Sequence, residues 1–191
     1  MKFTRMYHSL RLLALRRPKK RAEYLKKHNI LGSIGENCKW GPWLVPLYPE
    51  LIRVGNNVHV HKTSRIVTHD MLNNYLKLCD PTKDFGHRER LGCVELQDNV
   101  YIAMNCTVMP DVRINKNSIV TAGSVVTSDI PENSIATGNP AKVVGRFDMY
   151  MAFRRMGKSQ NVPFKNQDLP KELAEDKWAK FDKKRENAAN K

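Results

Sequence analysis

Branched aliphatic residues recur at every sixth position through much of this chain. Val54, Val60 and Ile66 share one phase, and Leu96, Ile102, Val108, Ile114, Val120 and Val126 return in it without a miss. Two positions before most of them stands a smaller or second aliphatic residue: Val58, Ser64, Val100, Cys106, Val112, Ser118 and Ser124. Residues two apart on an extended strand share a face. Each hexad therefore predicts a very short strand with two inward side chains. Three positions after the aliphatic residues come Asn57, Thr63, His69, Asn99, Asn105, Asp111, Asn117, Gly123 and Asp129. Asn, Asp and Gly tolerate the left-handed backbone of a tight corner. Strand and corner alternating with period six predict a parallel β-helix, whose coils bury their inner face only by stacking on one another. Independent hairpins have no reason to hold one phase through nine hexads.

The beat breaks between Ile66 and Leu96. The in-phase positions there are Leu72, Leu78, Asp84 and Arg90, and two charged residues in four cannot line a dry prism. With Pro81 and Gly86 in the same stretch, residues 70–93 are expected to form a loop thrown out from the prism. Long loops in compact domains are commonly functional. His69 stands at the foot of this one, on an expected corner, where its side chain does not point into the core.

The segment from Val100 to Phe147, above all "TAGSVVTSDIPENSIATGNPAKVVG", resembles the hexapeptide-repeat acyltransferases. Its nearest likeness is to the galactoside, maltose and xenobiotic acetyltransferase branch. The resemblance covers roughly residues 30–147. It implies an all-β domain, a left-handed parallel β-helix with three hexads per coil, with an extended loop and helical extensions at both ends. It also implies homotrimers with sites between adjacent prisms, and acetyl-CoA as acyl donor. The segment "VTHD" is similar to one in sugar acetyltransferases of cell-surface polysaccharide pathways. His69 is then the expected general base, since an imidazole can take a proton from an acceptor hydroxyl as it attacks the thioester. Asp70 either orients that imidazole or simply starts the loop. His87 and Asn105 are candidates for the acceptor.

Carried over residue by residue, the resemblance implies an oxyanion donor near Ala103 and Met104. It sets Ala122, Gly123 and Ser124 along the pantetheine arm, followed by Thr127 and Ser128. Lys142 and Arg146 fall at or beside basic positions for the nucleotide. Ser128 stands where the galactoside branch often has Lys, which removes the expected phosphate contact there. Tyr101 and Met104 depart from that branch's Trp and Ser, which argues against a plain galactoside acceptor more than against acetyl-CoA. The expected activity is O-acetylation of a sugar or a cell-surface polysaccharide precursor. Transfer to an amino sugar and a non-catalytic scaffold are the alternatives. A zinc hydratase built on the same kind of prism would need paired histidines at a spacing that this chain lacks, and no metal is expected.

The formal net charge is +14, and its distribution matters more than its size. Residues 1–28 carry ten Lys/Arg against one Glu, residues 29–145 eleven against eleven acidic residues, and residues 146–191 twelve against seven. The prism is thus neutral, with no basic stripe for nucleic acid. Cys38, Cys79, Cys93 and Cys106 form no C-x-x-C pair, which suits a reduced, cytoplasmic setting. Three regions are expected: 1–29 a basic helical extension, 30–147 the β-helix, and 148–191 a helical tail. Phe3, Met6, Tyr7, Leu10 and Leu13 fall at helical spacing, with Pro18 expected to close that helix. Packing of this stripe on the prism or a neighbouring subunit is the favoured expectation. Peripheral contact with an anionic membrane is the other. In the tail, "FDMYMAFRRMG" predicts a short helix stopped by Gly157, and a second helix is capped by Asp168 and anchored by Leu173, Trp178 and Phe181. The stretch "KWGPWLVPLYPELI" is expected to cap the open prism, with stacking on a sugar ring as the alternative.

Overall fold

All nine in-phase aliphatic residues are buried, as are their seven partners two positions earlier. They line a prism of three parallel faces in a computed structural model that describes residues 2–86, 89–156 and 169–189. The first face stacks Ser33–Ile34, Ile52–Val54, Val94–Leu96 and Val112–Ile114. The second stacks Lys39–Trp40, His59–Val60, Val100–Ile102, Ser118–Val120 and Ser134–Gly138, and an antiparallel strand, Ala141–Arg146, closes its end. The third stacks Arg65–Ile66, Thr107–Val108 and Val125–Val126. Small polar residues inside the prism satisfy themselves on carbonyls. Ser64 Oγ donates to Ala103 O at 2.5 Å, Ser118 Oγ to Pro131 O at 3.0 Å, and Ser124 Oγ to Thr121 O at 2.7 Å.

Corners decide where the chain turns. Asn57, Asn99, Asn105, Asp111, Asn117 and Gly123 adopt positive φ, between 55° and 76°. Thr63, His69 and Asp129 do not. A β-branched Thr disfavours that region, and His69 is held extended by a different partner, described below. Along the edge between the first and second faces, side chains form a ladder. Asn57 Nδ2 donates to Asn99 Oδ1 at 3.0 Å, and Asn99 Nδ2 to Asn117 Oδ1 at 2.8 Å.

The interruption leaves the register untouched. Val54 pairs with Leu96 and Val60 with Ile102, 42 positions apart, whereas the next coil pairs Leu96 with Ile114 and Ile102 with Val120, 18 apart. The surplus of 24 equals the length of residues 70–93. This outer arm is more ordered than a plain loop. It contains a helix, Leu72–Cys79, and returns through Arg90–Leu91. Leu72 and Leu78 are exposed, so neither lines the prism.

Helices complete the chain, so an all-β description is too narrow. Here α1 is Lys2–Ala14, α2 Pro18–Lys27, α3 the arm helix Leu72–Cys79, α4 Phe147–Met156 and α5 Lys171–Ala189. Pro18 opens α2 rather than merely closing α1, since its missing N–H costs nothing in a first turn. The apolar stripe of α1 does not pack on the prism; the opposite side of the helix does. The chain divides into two units, Met1–Arg155 and Met156–Lys191. Within the second, Trp178 and Phe181 meet edge to face at 5.2 Å and the Arg185 guanidinium lies over Phe181. The expected stop at Gly157 and cap at Asp168 lie outside the described residues. Trp40 is fully buried as the first rung of the second face, whereas Trp43, Leu44 and Leu47 of the same stretch are exposed.

Candidate active site

Three strands of chain meet around His69. Its backbone pairs antiparallel with Leu91, and Asp70 pairs with Arg90, so the arm leaves and re-enters the prism side by side. Thr68, just before it, is buried. Its Oγ1 donates to Leu47 O at 2.5 Å, and its carbonyl accepts from Gly92 N at 2.9 Å. Tyr48 follows Leu47. Its ring stands edge-on to the imidazole with centroids 5.8 Å apart, and its hydroxyl donates to the Glu89 carboxylate. That carboxylate raises the phenol's pKa above its ordinary value, with burial adding to the effect. The phenol is therefore kept in its donating form.

Tyr48 occupies the left-handed region, φ 49° and ψ 54°. That is unusual for a bulky residue and doubly so before a proline, which pushes its predecessor toward extended backbone. Such strain persists where surrounding contacts over-determine it, and it gathers at functional sites. Sequence reasoning missed Tyr48 and Glu89. "LYPEL" reads as a cap, and only the pre-proline aromatic hints at anything more.

His69 itself is half-buried. Its Nδ1 is fully buried and lacks a hydrogen-bond partner among the described residues, so the accessible part of the ring is its other side. Asp70 does not serve the imidazole here. Its Oδ1 accepts from Leu72 N at 2.9 Å, which starts α3. His87 lies outside the described residues.

The remaining candidates lie elsewhere on the prism. His69, Thr127 and Ser128 all follow strands of the third face. Ala103, Met104, Asn105, Ala122 and Gly123 all precede strands of that face. The two groups therefore occupy different edges of one prism, with the third face between them. On the second edge the Ala103 N–H is already given to Val120 O at 2.9 Å. The Met104 and Ala122 N–H groups there have no partner among the described residues, while the Met104 carbonyl accepts from Gly123 N at 2.9 Å. Asn105 is exposed at a positive-φ corner, and its N–H donates to Thr63 Oγ1 at 2.9 Å. Gly123 has φ 76°, and a side chain added there would meet open space. Room for a ligand thus exists beside it. Ser124, by contrast, is fully buried and accepts from Gly138 N at 3.2 Å, so its hydroxyl braces the corner rather than facing outward. Lys142 is exposed opposite Thr137 on the closing hairpin. Arg146 is held by Asp148, Nη2 to Oδ2 at 2.5 Å, and this ion pair draws the Asp148 carboxyl down to about 2.

The cysteines offer no nucleophile inside the prism. Burial pushes the Cys38 and Cys106 thiols up, so they stay protonated. His59, pulled down by burial, packs edge-on to Tyr101 at 5.0 Å on the outer side of the second face.

Known proteins share the repeat and the prism. The bacterial transferase hexapeptide family, described as six repeats, matches residues 94–128. A Schizosaccharomyces pombe protein provisionally named an acetyltransferase is 36% identical over 104 residues, 51% of this chain and 44% of its own length. The chain spans about half the length of the curated relatives it matches. A Vibrio cholerae hexapeptide-repeat acetyltransferase solved with acetyl coenzyme A superposes with a TM-score of 0.52 at 19% identity, covering 74% of this chain and 86% of the other. A galactoside acetyltransferase solved with coenzyme A gives a TM-score of 0.53 at 20% identity, covering 79% and 78%. At these identities the likeness establishes the fold, and it implies the left-handed winding of those prisms. Residues 94–128 thus carry the hexapeptide repeat of bacterial transferases, on a prism whose fold is shared with hexapeptide-repeat acetyltransferases of known structure.

Proposed function

We propose that the chain transfers an acetyl group from acetyl-CoA to a hydroxyl of a sugar or a cell-surface polysaccharide precursor, with His69 as general base. The observation that carries this reading is the framing of His69 by Tyr48, Thr68 and Leu91 at the foot of the outer arm. Acetyl-CoA is already an activated thioester, so the protein has to supply a nucleophile and a place for the charge that develops. His69 takes the proton of the acceptor hydroxyl as its oxygen attacks the thioester carbonyl, and the coenzyme leaves as thiolate. A proton held in this way contributes ~10²–10⁴-fold. The oxyanion needs a preorganised donor, and the unengaged N–H of Met104 is an amide available for it.

Because His69 and Met104 stand on different edges of one prism, the reaction requires two copies side by side. One presents the His69 edge, and the next presents Met104, Ala122 and Gly123. A homotrimer meets that requirement. Thr127 and Ser128 border the same cleft from the His69 side, and Lys142 and Arg146 are cations for the nucleotide phosphates. The sugar-class acceptor rests on the polar and aromatic wall around His69, where Tyr48 and Glu89 can meet hydroxyls, and on the likeness to a galactoside acetyltransferase.

The test is thiol release from acetyl-CoA over a panel of mono- and oligosaccharide acceptors, with wild type and His69→Ala. Undiminished turnover in the variant removes His69 from its role. Turnover confined to amino sugars changes the product to an amide.

A further inference from the structure

Helix α1 is fixed to the body by one side only. Arg5 Nε donates to Val45 O at 2.8 Å, Val45 N donates to Ser9 Oγ at 3.1 Å, and Leu12 is fully buried. Arg21, from α2, locks its end by donating to Leu12 O, Leu15 O and Gly41 O. With that side committed, Phe3, Met6, Tyr7, Leu10 and Leu13 face away from the body, each between 50% and 83% exposed. Five large apolar side chains on one face of a pinned helix are a surface built to be covered.

Charge selects the cover. Residues 1–28 are net +9, and the body that follows, residues 29–145, is neutral. A second copy of the chain would bring the same positive helix and no compensating acidic field. An anionic bilayer supplies both missing parts. Its acyl boundary accepts the apolar stripe, and its phosphates meet the exposed Arg11, Arg16, Arg17, Lys19 and Lys20. Tyr7, amphipathic and partway along the stripe, suits the headgroup level. No helix among the described residues is long and apolar enough to cross a membrane, so the contact is interfacial.

We infer that α1 is an interfacial anchor that seats the protein on anionic phospholipid headgroups. The orientation is set by the helix's bonds to Val45, so the prism is held at a fixed attitude to the surface rather than on a tether. This inference stands independently of the acetyl-transfer reading.

The experiment is co-sedimentation of the full chain with phosphatidylglycerol/phosphatidylcholine vesicles and with pure phosphatidylcholine vesicles, at low and high salt. A Phe3→Glu/Leu10→Glu variant runs in parallel, with its thermal melt and sedimentation velocity recorded. Both substituted residues are exposed, so the variant is expected to melt like wild type. The expected result is binding to the anionic vesicles that weakens with salt and falls on the order of 100-fold in the variant. Absence of binding at low salt overturns the inference, as does equal binding to neutral vesicles. So does a wild-type assembly that dissociates in the variant, which would assign the stripe to a second copy of the chain.

Discussion

The ring of Tyr48 stands edge-on to the imidazole of His69, and its hydroxyl is held by Glu89 from the far end of the outer arm. One side chain thus ties the aromatic segment, the candidate base and the returning arm together. Its left-handed backbone is kept by those contacts and not by its own preference. Tyr48→Phe removes the bond to Glu89 and keeps the ring. Its expected effect is a fall in kcat of about tenfold with a shifted pH–rate profile, and Glu89→Gln should move the profile in the same direction. Unchanged kcat and profile in both would reduce Tyr48 to a packing residue.

Strain at Tyr48 also sets stability against activity. Asn tolerates positive φ far better than Tyr, so Tyr48→Asn relieves a cost on the order of 1–3 kcal/mol while losing the ring contact. The variant is expected to melt no lower than wild type yet turn over more slowly. Differential scanning calorimetry beside the thiol-release assay checks both halves.

The Asn ladder offers a cleaner measure of corner chemistry. Asn99 has φ 60° and both gives and receives a side-chain bond along its edge. Asn99→Ala loses the tolerance of Asn for the left-handed region and breaks the ladder, for a loss of about 2 kcal/mol. Asn99→Gly keeps the corner and loses only the ladder, for about half of that. Chemical denaturation of the two variants separates the terms.

Because the coils on either side of the arm pair in phase, residues 70–93 can be removed without a register slip. Deleting them joins His69 to Val94 with the hexad spacing preserved. The shortened chain is expected to keep its β-rich circular dichroism and cooperative melt. It should also lose turnover, since Glu89 and Leu91 no longer frame His69. An unfolded product would show that the arm supports the prism itself.

Acid should loosen the protein in a definite window. Burial holds the imidazoles of His59 and His8 below their ordinary 6.5, with nearby cationic groups adding to it. Above 6.5 both rings are neutral in the folded and unfolded chain, and no penalty applies. As pH falls below 6.5 the unfolded chain takes up protons first, so stability declines, and it levels off below the folded values. Melts from pH 7.5 to 5 should show this slope, and it should flatten in a His8→Asn/His59→Asn variant.

Much of this was legible in the residues. Period-six aliphatics specify an inward side chain whichever coil they join, so all nine core positions follow from spacing alone. The Asn and Asp corners follow from backbone tolerance. The length of the excursion follows from counting, because a prism resumes only in phase. Other features depend on which residues meet across long separations, and a local pattern does not encode that. Leu47 and Tyr48 touch Thr68 and His69 some twenty positions on, and Glu89 arrives from the other side of the arm. Thr63 and His69 share a hexad position with Asn57, yet neither turns left-handed: one is β-branched, and the other is captured by Leu91. The apolar stripe of α1 was visible in the sequence, but only the bonds of Arg5, Ser9 and Arg21 decide that it faces outward. Periodicity determined the prism because each hexad is a local rule repeated. Tertiary contacts decided the site, because a catalytic frame is built from segments that the chain keeps far apart.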